Sequence, residues 1–374
     1  MKKKKIKIFI TNSLGELDVI IPICMELKKK NNLDIEIIFT VKKIFDCFIS
    51  NKFYLFTLQY HQIKFSKLFL VNKFDININQ IKFFKNIDKV FYLFITILKL
   101  PLLYFKMKEA KYIFYEFAEQ SQVKFIYFLN FILNKKIYTY CHGVALHPGT
   151  SSTKKRYAHK SKYLLFHEMN KSLSDSMGYN NYVKIGIPKF FKSWLSFIND
   201  ISTQFQKKER YVVIYSRAIN DYYMPKEIYK KLILESYEAI NSVLGNILII
   251  FKPHPREDLN QLRETLNEYN MTNTEISDLH STVLAKHALF GLSLWTSCVI
   301  DCLSVNTPVI EYFKEGKKFR EVEPKGSTYK NIGFKSCNNI NELKKIISEI
   351  DNGLYNYPKN IHEIFKFSNT NFLD

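Results

Sequence analysis

The chain is poor in the motifs that announce a common enzyme class. Its six cysteines stand at positions 24, 47, 141, 298, 302 and 337, and no pair has C-x-x-C spacing. The usual zinc and dithiol redox patterns are therefore missing, and reduced thiols in a cytosolic setting fit best. Cys298 and Cys302, one helical turn apart, read as small core residues. No Walker A loop, no complete G-x-G-x-x-G and no G-x-S-x-G elbow occurs, so P-loop, dinucleotide and hydrolase readings have no support. No motif calls for a metal or a cofactor. Long apolar runs are scarce as well. Lys2 to Lys5 precede Ile6–Ile10, which is far too short for a signal-peptide core. Only Val90–Phe105 (VFYLFITILKLPLLYF) points toward lipid, and it is short and interrupted by Lys99 and Pro101. It reads either as a buried helix or, between Lys85, Lys89, Lys106 and Lys108, as a monotopic contact with an anionic membrane surface.

Acidic residues are outnumbered, with 35 Asp and Glu against 55 Lys and Arg, for a formal charge of +20. A basic nucleic-acid-binding protein is one class this balance invites, but it calls for arginines and aromatics clustered on one face. Here the excess is scattered lysine, so nucleic acid is not the expected partner. A basic surface favours anionic substrates or an anionic membrane face instead. The 374 residues, 47% of them hydrophobic and 24% charged, suffice for two buried cores of ordinary composition.

Along the chain the pattern is β-α-β, the rhythm of a parallel sheet. In the first half the expected strands are Lys5–Ile10, Asp34–Thr40, Tyr112–Phe117, Ile137–Tyr140, Tyr163–Phe166 and Tyr182–Ile185, with helices over Leu17–Lys30, Val41–Ser50 and Gln122–Leu133. A polar stretch around Gln204–Arg210 breaks the rhythm. It restarts with strands Tyr211–Tyr215, Ile247–Phe251, Thr274–Ser277, Ala288–Leu292 and Val309–Tyr312. Helices are expected at Lys226–Val243, Leu259–Tyr269, Ser281–Lys286, Thr296–Ser304 and Asn341–Ile350. The expected fold is α/β, with two Rossmann-like domains, 1–205 and 206–374, whose parallel sheets face a central cleft.

The most informative stretch is Ile247-Leu-Ile-Ile-Phe-Lys-Pro-His-Pro-Arg256. An apolar strand ends at a histidine between two prolines, which fix φ and bias Lys252 and His254 toward extended geometry. His254 is thus presented at a strand's carboxyl end, where open α/β sheets bind ligands; the plain alternative is a structural histidine. A second constellation is Gly291-Leu-Ser-Leu-Trp-Thr-Ser-Cys-Val-Ile-Asp301. Thr296 and Ser297 fall where the next helix should begin, a place suited to capping or to phosphate. With the Pro-His-Pro loop on the same sheet edge, the pair suggests a nucleoside diphosphate. A third is Ile137-Tyr-Thr-Tyr-Cys-His-Gly143, where a strand again ends in histidine and Gly143 permits close approach. His142 and His254 facing one cleft would make a base and a leaving-group stabiliser. Weaker signals are Leu14-Gly-Glu-Leu-Asp18, where Gly15 admits a substrate and Glu16 or Asp18 is a candidate base, and Gly186-Ile-Pro188 at the hinge. Glu311, on the strand Val309–Tyr312, is a further candidate for the cleft.

In order, Tyr140-Cys-His-Gly143, Lys184-Ile-Gly-Ile-Pro188, Phe251-Lys-Pro-His-Pro255 and Trp295-Thr-Ser-Cys-Val-Ile-Asp301 with Thr307-Pro-Val-Ile310 resemble the catalytic half of CDP-glycerol glycerophosphotransferases. Those are GT-B enzymes that build teichoic-acid and capsule polymers. The Lys-Pro-His-Pro element is also similar to one in bacterial sialyltransferases and capsule glycosyltransferases of that fold. The resemblance covers roughly 137–312 and implies His142 as base, with Lys252, His254, Thr296 and Ser297 holding donor phosphates. Leu294 and Trp295 replace the family's acidic residue and tyrosine, and Ser216-Arg-Ala-Ile-Asn220 replaces its Pro-Thr-Trp-Arg element. These departures make a sugar at least as fitting a transferred group as glycerol phosphate. The expected partners are a CMP-, CDP- or UDP-linked donor and a polysaccharide or lipid-linked acceptor. A nucleotide-sugar 2-epimerase of the same fold is the enzymatic alternative, though Thr296 and Ser297 stand where it would carry a glycine pair.

Overall fold

Strand β1 (Lys4–Ile10) shows how this sequence makes a buried parallel strand. Ile6, Ile8 and Ile10 point to one face and Phe9 to the other, and all four are buried. The lysine between them, Lys7, is buried too, and is tolerated because it meets Glu36 opposite it in register. A computed structural model describes residues 4–30, 33–71, 97–117, 123–141, 154–205, 209–221, 224–315, 319, 326–358, 361, 365, 369 and 372–373.

Thirteen described strands form two all-parallel sheets. The first has the order β3-β2-β1-β4-β5-β6-β7. Its other strands are β2 (Leu33–Val41), β3 (Lys64–Val71), β4 (Tyr112–Glu116), β5 (Lys136–Tyr140), β6 (Lys162–Leu165) and β7 (Tyr182–Lys184). The second has the order β10-β9-β8-β11-β12-β13. It comprises β8 (Tyr211–Tyr215), β9 (Leu248–Lys252), β10 (Thr274–Ile276), β11 (Gly291–Ser293), β12 (Val309–Tyr312) and β13 (Lys335–Cys337). In each sheet the strand order reverses beside the first strand, between β1 and β4 and between β8 and β11. Loops leaving that point at the carboxyl edge open a crevice.

Helices cover both faces. Helices α1 (Leu17–Lys30), α2 (Lys42–Ser50) and α3 (Lys52–Tyr60) pack on one face of the first sheet, while α4 (97–108) and α5 (Val123–Leu133) pack on the other. After α6 (Lys171–Ser176), α7 (Lys192–Ser202) rests on α1 and on α10 (Ser281–His287) of the second unit. In that unit α8 (Lys226–Leu244) and α9 (Leu259–Glu268) lie outside, whereas α10 (Ser281–His287) and α11 (Val299–Ser304) face the first sheet's helices. One core therefore runs through both units, joining Trp194 and Phe53 to Val283, Val299 and Ile300. The chain's end also returns to the first unit: Ile361, Phe365 and Phe372 are buried there, and Asn369 N–H donates to Ile185 O at 2.9 Å.

Two elements differ from the sequence reading in ways that matter. The helix expected at Thr296 starts at Val299, because Trp295 adopts a left-handed φ of 56° and the chain makes one more turn first. Of Val90–Phe105, residues 90–96 lie outside the described residues, while 97–105 belong to α4. No described helix is long and apolar enough to cross a membrane.

Candidate functional site

The crevice between the two sheets holds a cleft of about 400 Å³. Four loops of the second sheet reach it in sequence: Ser216–Asn220 after β8, Lys252–Arg256 after β9, His280–Ser281 after β10 and Trp295–Cys298 after β11. The first unit supplies Ser13, Gly15, Asp18, Tyr54 and Lys189.

The Pro-His-Pro loop is stapled to its neighbours by Glu257. Its carboxylate accepts the His254 N–H at 2.9 Å, the Ser216 hydroxyl at 2.7 Å and the Tyr229 hydroxyl at 2.6 Å. Burial pushes the Glu257 carboxyl upward against those three donors. His254 Nδ1 accepts the Arg256 N–H at 3.1 Å, so the neutral ring carries its proton on Nε2. Lys252 donates to the Asp278 carbonyl at 3.1 Å, and burial lowers its ammonium pKa. A cation that is half-buried beside a carbonyl oxygen gains from a bound anion.

Two hydroxyls and a guanidinium complete this edge. Thr296 is held by Ser293, whose Oγ accepts the Thr296 N–H at 2.9 Å, and its own Oγ1 accepts the Cys298 N–H at 3.3 Å. Ser297, next to it, lines the cleft. The Arg217 guanidinium sits 4.4 Å from the Trp295 ring centroid and also donates to the Trp295 carbonyl. Trp295 in turn packs on Phe319 at 5.0 Å. Cation–π stacking thus fixes an arginine at the cleft wall.

The first unit's acids are arranged differently. Glu16 is fully buried beneath the turn after β1, not in the cleft. Its Oε1 accepts backbone N–H groups from Thr11 (3.0 Å), Asn12 (2.6 Å) and Ser13 (3.0 Å), and its Oε2 accepts the Tyr140 hydroxyl at 3.1 Å. Burial, then the charge of Glu116, pushes its carboxyl up to about 8 despite those donors. Glu16 therefore shapes the turn that presents Gly15 and Asp18. A Cβ added at Gly15 would meet only Ser13 Oγ at 3.5 Å, an ordinary contact, so chain packing alone does not require glycine there. Asp18 lines the cleft, accepts from Tyr54 and lies 3.1 Å from His280 Nε2. Burial alone would raise its carboxyl, but His280, Lys189 and Tyr54 hold it well below the usual range. Such a carboxylate is a weak proton acceptor.

The remaining sequence candidates are dispersed. His142 and Gly143 lie outside the described residues. Gly186, at φ 82°, is not among the cleft-lining residues; it turns the chain toward Pro188–Phe190 and so delivers Lys189. Glu311 is buried behind the cleft, where it accepts the Ser327 and Ser336 hydroxyls at 2.5 Å each. No group of three or more His, Cys, Asp or Glu is placed for a metal among the described residues.

Sequence reasoning passed over four cleft residues: His280, Tyr54, Arg217 and Lys189. His280 follows strand β10 as His254 follows β9, so the same strand-end rule points to it. Its Nδ1 accepts the Thr282 N–H at 3.1 Å while Nε2 faces Asp18 across the units. Lys189, also crossing between units, binds both Asp301 oxygens at 2.6 and 2.5 Å. Thr282 adds a hydroxyl to the same Asp301 carboxylate at 2.7 Å.

No family model matches this chain, and no curated protein is detectably similar in sequence. Solved structures do match along nearly its whole length. The UDP-GlcNAc 2-epimerase of Methanocaldococcus jannaschii is similar over 99% of this chain and 97% of its own, with TM-score 0.59 and 13% identity. Anabaena HepE, in complex with UDP and glucose, covers 97% and 95% at TM-score 0.54 and 12% identity. A glycosyltransferase of Rickettsia africae covers 98% and 91% at TM-score 0.54 and 14% identity. The chain has the GT-B fold. Its cleft is the inter-domain crevice of that fold, with one Rossmann-like unit on each side.

Proposed function

We propose that the protein transfers a sugar from a nucleotide-activated donor to a hydroxyl of a growing surface polysaccharide, such as a capsule, lipooligosaccharide or teichoic-acid-like chain. The observation that carries this reading is the second sheet's edge, where Lys252, His254, Arg217 and Ser297 line one cleft at the switch point. Cations, an N–H and a hydroxyl on one wall suit a diphosphate. UDP, the nucleotide bound in the Anabaena structure, is the first donor nucleotide to try, with CDP and CMP after it. Residues 206–374 form the donor domain and 1–205 the acceptor domain, with the end of the chain packed back across onto the latter.

In the proposed reaction an acceptor oxygen bonds to the anomeric carbon as the bond from that carbon to the nucleotide's phosphate oxygen breaks. His254 Nε2–H, Lys252 and Arg217 stabilise the charge that appears on the departing phosphate. The acceptor proton passes to His142, two residues after β5 in the sequence, since Asp18 is held ionised by its partners and Glu16 lies under the turn. The acceptor is a polysaccharide or lipid-linked chain, and the enzyme meets it at an anionic membrane face.

The likeness to the Methanocaldococcus enzyme favours 2-epimerisation of a UDP-sugar as the second reading, against which Thr296 and Ser297 replace a glycine pair. The purified protein incubated with UDP-sugars separates the two. Transfer releases UDP in proportion to acceptor, whereas epimerisation converts UDP-GlcNAc to its 2-epimer without any acceptor. Salt-sensitive binding to random duplex DNA with no competition by UDP, CDP or CMP would overturn both.

A further inference from the structure

The outer face of the first sheet carries an apolar surface that nothing in the protein covers among the described residues. Helices α4 and α5 bury Leu103, Met107, Val123, Ile126 and Leu129 against the strands. Their opposite sides are also apolar. On α4, Leu98, Leu102 and Phe105 follow one another at helical spacing and are 62%, 58% and 61% exposed. On α5, Phe128, Phe131 and Ile132 are 61%, 90% and 64% exposed. Of the eleven large apolar residues left exposed in the described chain, seven lie on these two helices, counting Ile97. Single exposed apolar residues need no explanation, but a contiguous set marks an interaction surface.

The surroundings identify the partner. The two helices end side by side, where Lys135 Nζ donates to the Lys108 carbonyl at 3.0 Å. There they open on a basin lined by Lys4, Lys5, Lys108, Lys111, Lys135 and Lys136, with Glu109 as its one acid. Lysine is depleted at protein–protein interfaces, whereas an apolar helical face bordered by lysines suits the headgroup boundary of an anionic bilayer. Both helices run antiparallel to the strands, so they start at the carboxyl edge that holds the cleft and finish at the lysine basin. Docking through them keeps the cleft's edge beside the bilayer, within reach of a lipid-linked acceptor.

We infer that the α4–α5 face docks on an anionic phospholipid surface, with Phe128, Phe131, Ile132, Leu102 and Phe105 entering the headgroup boundary and the lysine basin meeting the lipid phosphates. This deepens the membrane contact proposed above and rests on it, while standing apart from the chemistry of the cleft.

The test is flotation of the full chain with phosphatidylcholine vesicles, with and without phosphatidylglycerol. Wild type should float with the anionic vesicles only and be released by high salt. Phe131→Ser with Ile132→Ser should lower partitioning at least tenfold, and so should Lys111→Glu with Lys136→Glu. Both double variants should keep the wild-type circular dichroism and the thermal shift that UDP produces. If both float as well as wild type does, this face is not the contact, although membrane association itself stands. If wild type floats with neither vesicle, membrane association falls as well. If wild type is a dimer by light scattering and Phe131→Ser with Ile132→Ser makes it a monomer, a second copy covers the face and the lipid assignment is overturned.

Discussion

The two halves of the cleft are built from sheets of matching order, yet they commit their side chains differently. The second sheet sends four consecutive loops, and its polar groups there are supported from behind: Glu257 holds His254, Ser293 holds Thr296, and Trp295 holds Arg217. In the first unit the charged groups are themselves consumed in support. Glu16 ties its own turn, Asp18 meets Tyr54 and His280, and Lys189 is locked on Asp301. A rigid wall of donors held from behind is suited to holding a phosphate. A wall whose charges are already matched is suited to fixing the distance between domains.

The largest test of that contrast is on stability. Lys189 and Asp301 are almost wholly buried, and removing one partner of such a pair leaves a charge stranded. Lys189→Ala should cost about 3–5 kcal/mol in chemical denaturation, whereas His254→Ala should leave stability nearly unchanged. On turnover the ranking reverses. His254→Ala should lower transfer by about 10²–10³-fold, with the fold intact by circular dichroism; an unfolded or fully active variant would make His254 a core residue instead. Thr296 and Ser297 changed together to alanine should weaken nucleotide binding about ten- to a hundredfold by calorimetry, as expected for loss of a charge-assisted bond of about 1.5–3 kcal/mol.

The smallest effects are on pH dependence, and the two acids of the first unit should differ in sign. Asp18 has a folded-state pKa below its unfolded value. Its contribution to stability is fully present above pH ~4, the unfolded value, and is lost as the pH falls further. Glu16 is raised to about 8, so the folded state binds the extra proton and stability falls as pH rises between ~4 and about 8. Melting temperatures followed against pH should show Asp18→Asn losing the acid-side slope and Glu16→Gln losing the slope toward neutral. Equal profiles would mean that neither carboxyl is held as described.

Much of the framework can be read from local pattern. Tyr211–Tyr215 matches its strand to the residue because it is an apolar run bounded by polar residues, and Val309–Tyr312 does so because Pro308 marks its start, although Glu311 interrupts its apolar residues. β3 is missed because Lys64 and Lys67 break its apolar run, and β13 because three residues carry no pattern. Arrival at the cleft depends on strand ends, and Lys252, His254, Thr296, Ser297, Gly15 and Asp18 line it. What each of them does is a tertiary matter. Nothing in Leu14-Gly-Glu-Leu-Asp18 tells which acid turns inward, and only the packed structure shows Glu16 under the turn and Asp18 against His280. Thr296 illustrates the same limit, since the left-handed Trp295 that delays the helix is held by Arg217 from a different loop.

The proposed transfer requires the second sheet's edge to bind a nucleoside diphosphate. Titration calorimetry of UDP into wild type and into His254→Ala examines it most directly. Wild type should show one site per chain and the variant weaker binding, by at least tenfold if one charge-assisted bond is lost. No heat from UDP, CDP or CMP, or equal affinity in both proteins, would contradict it.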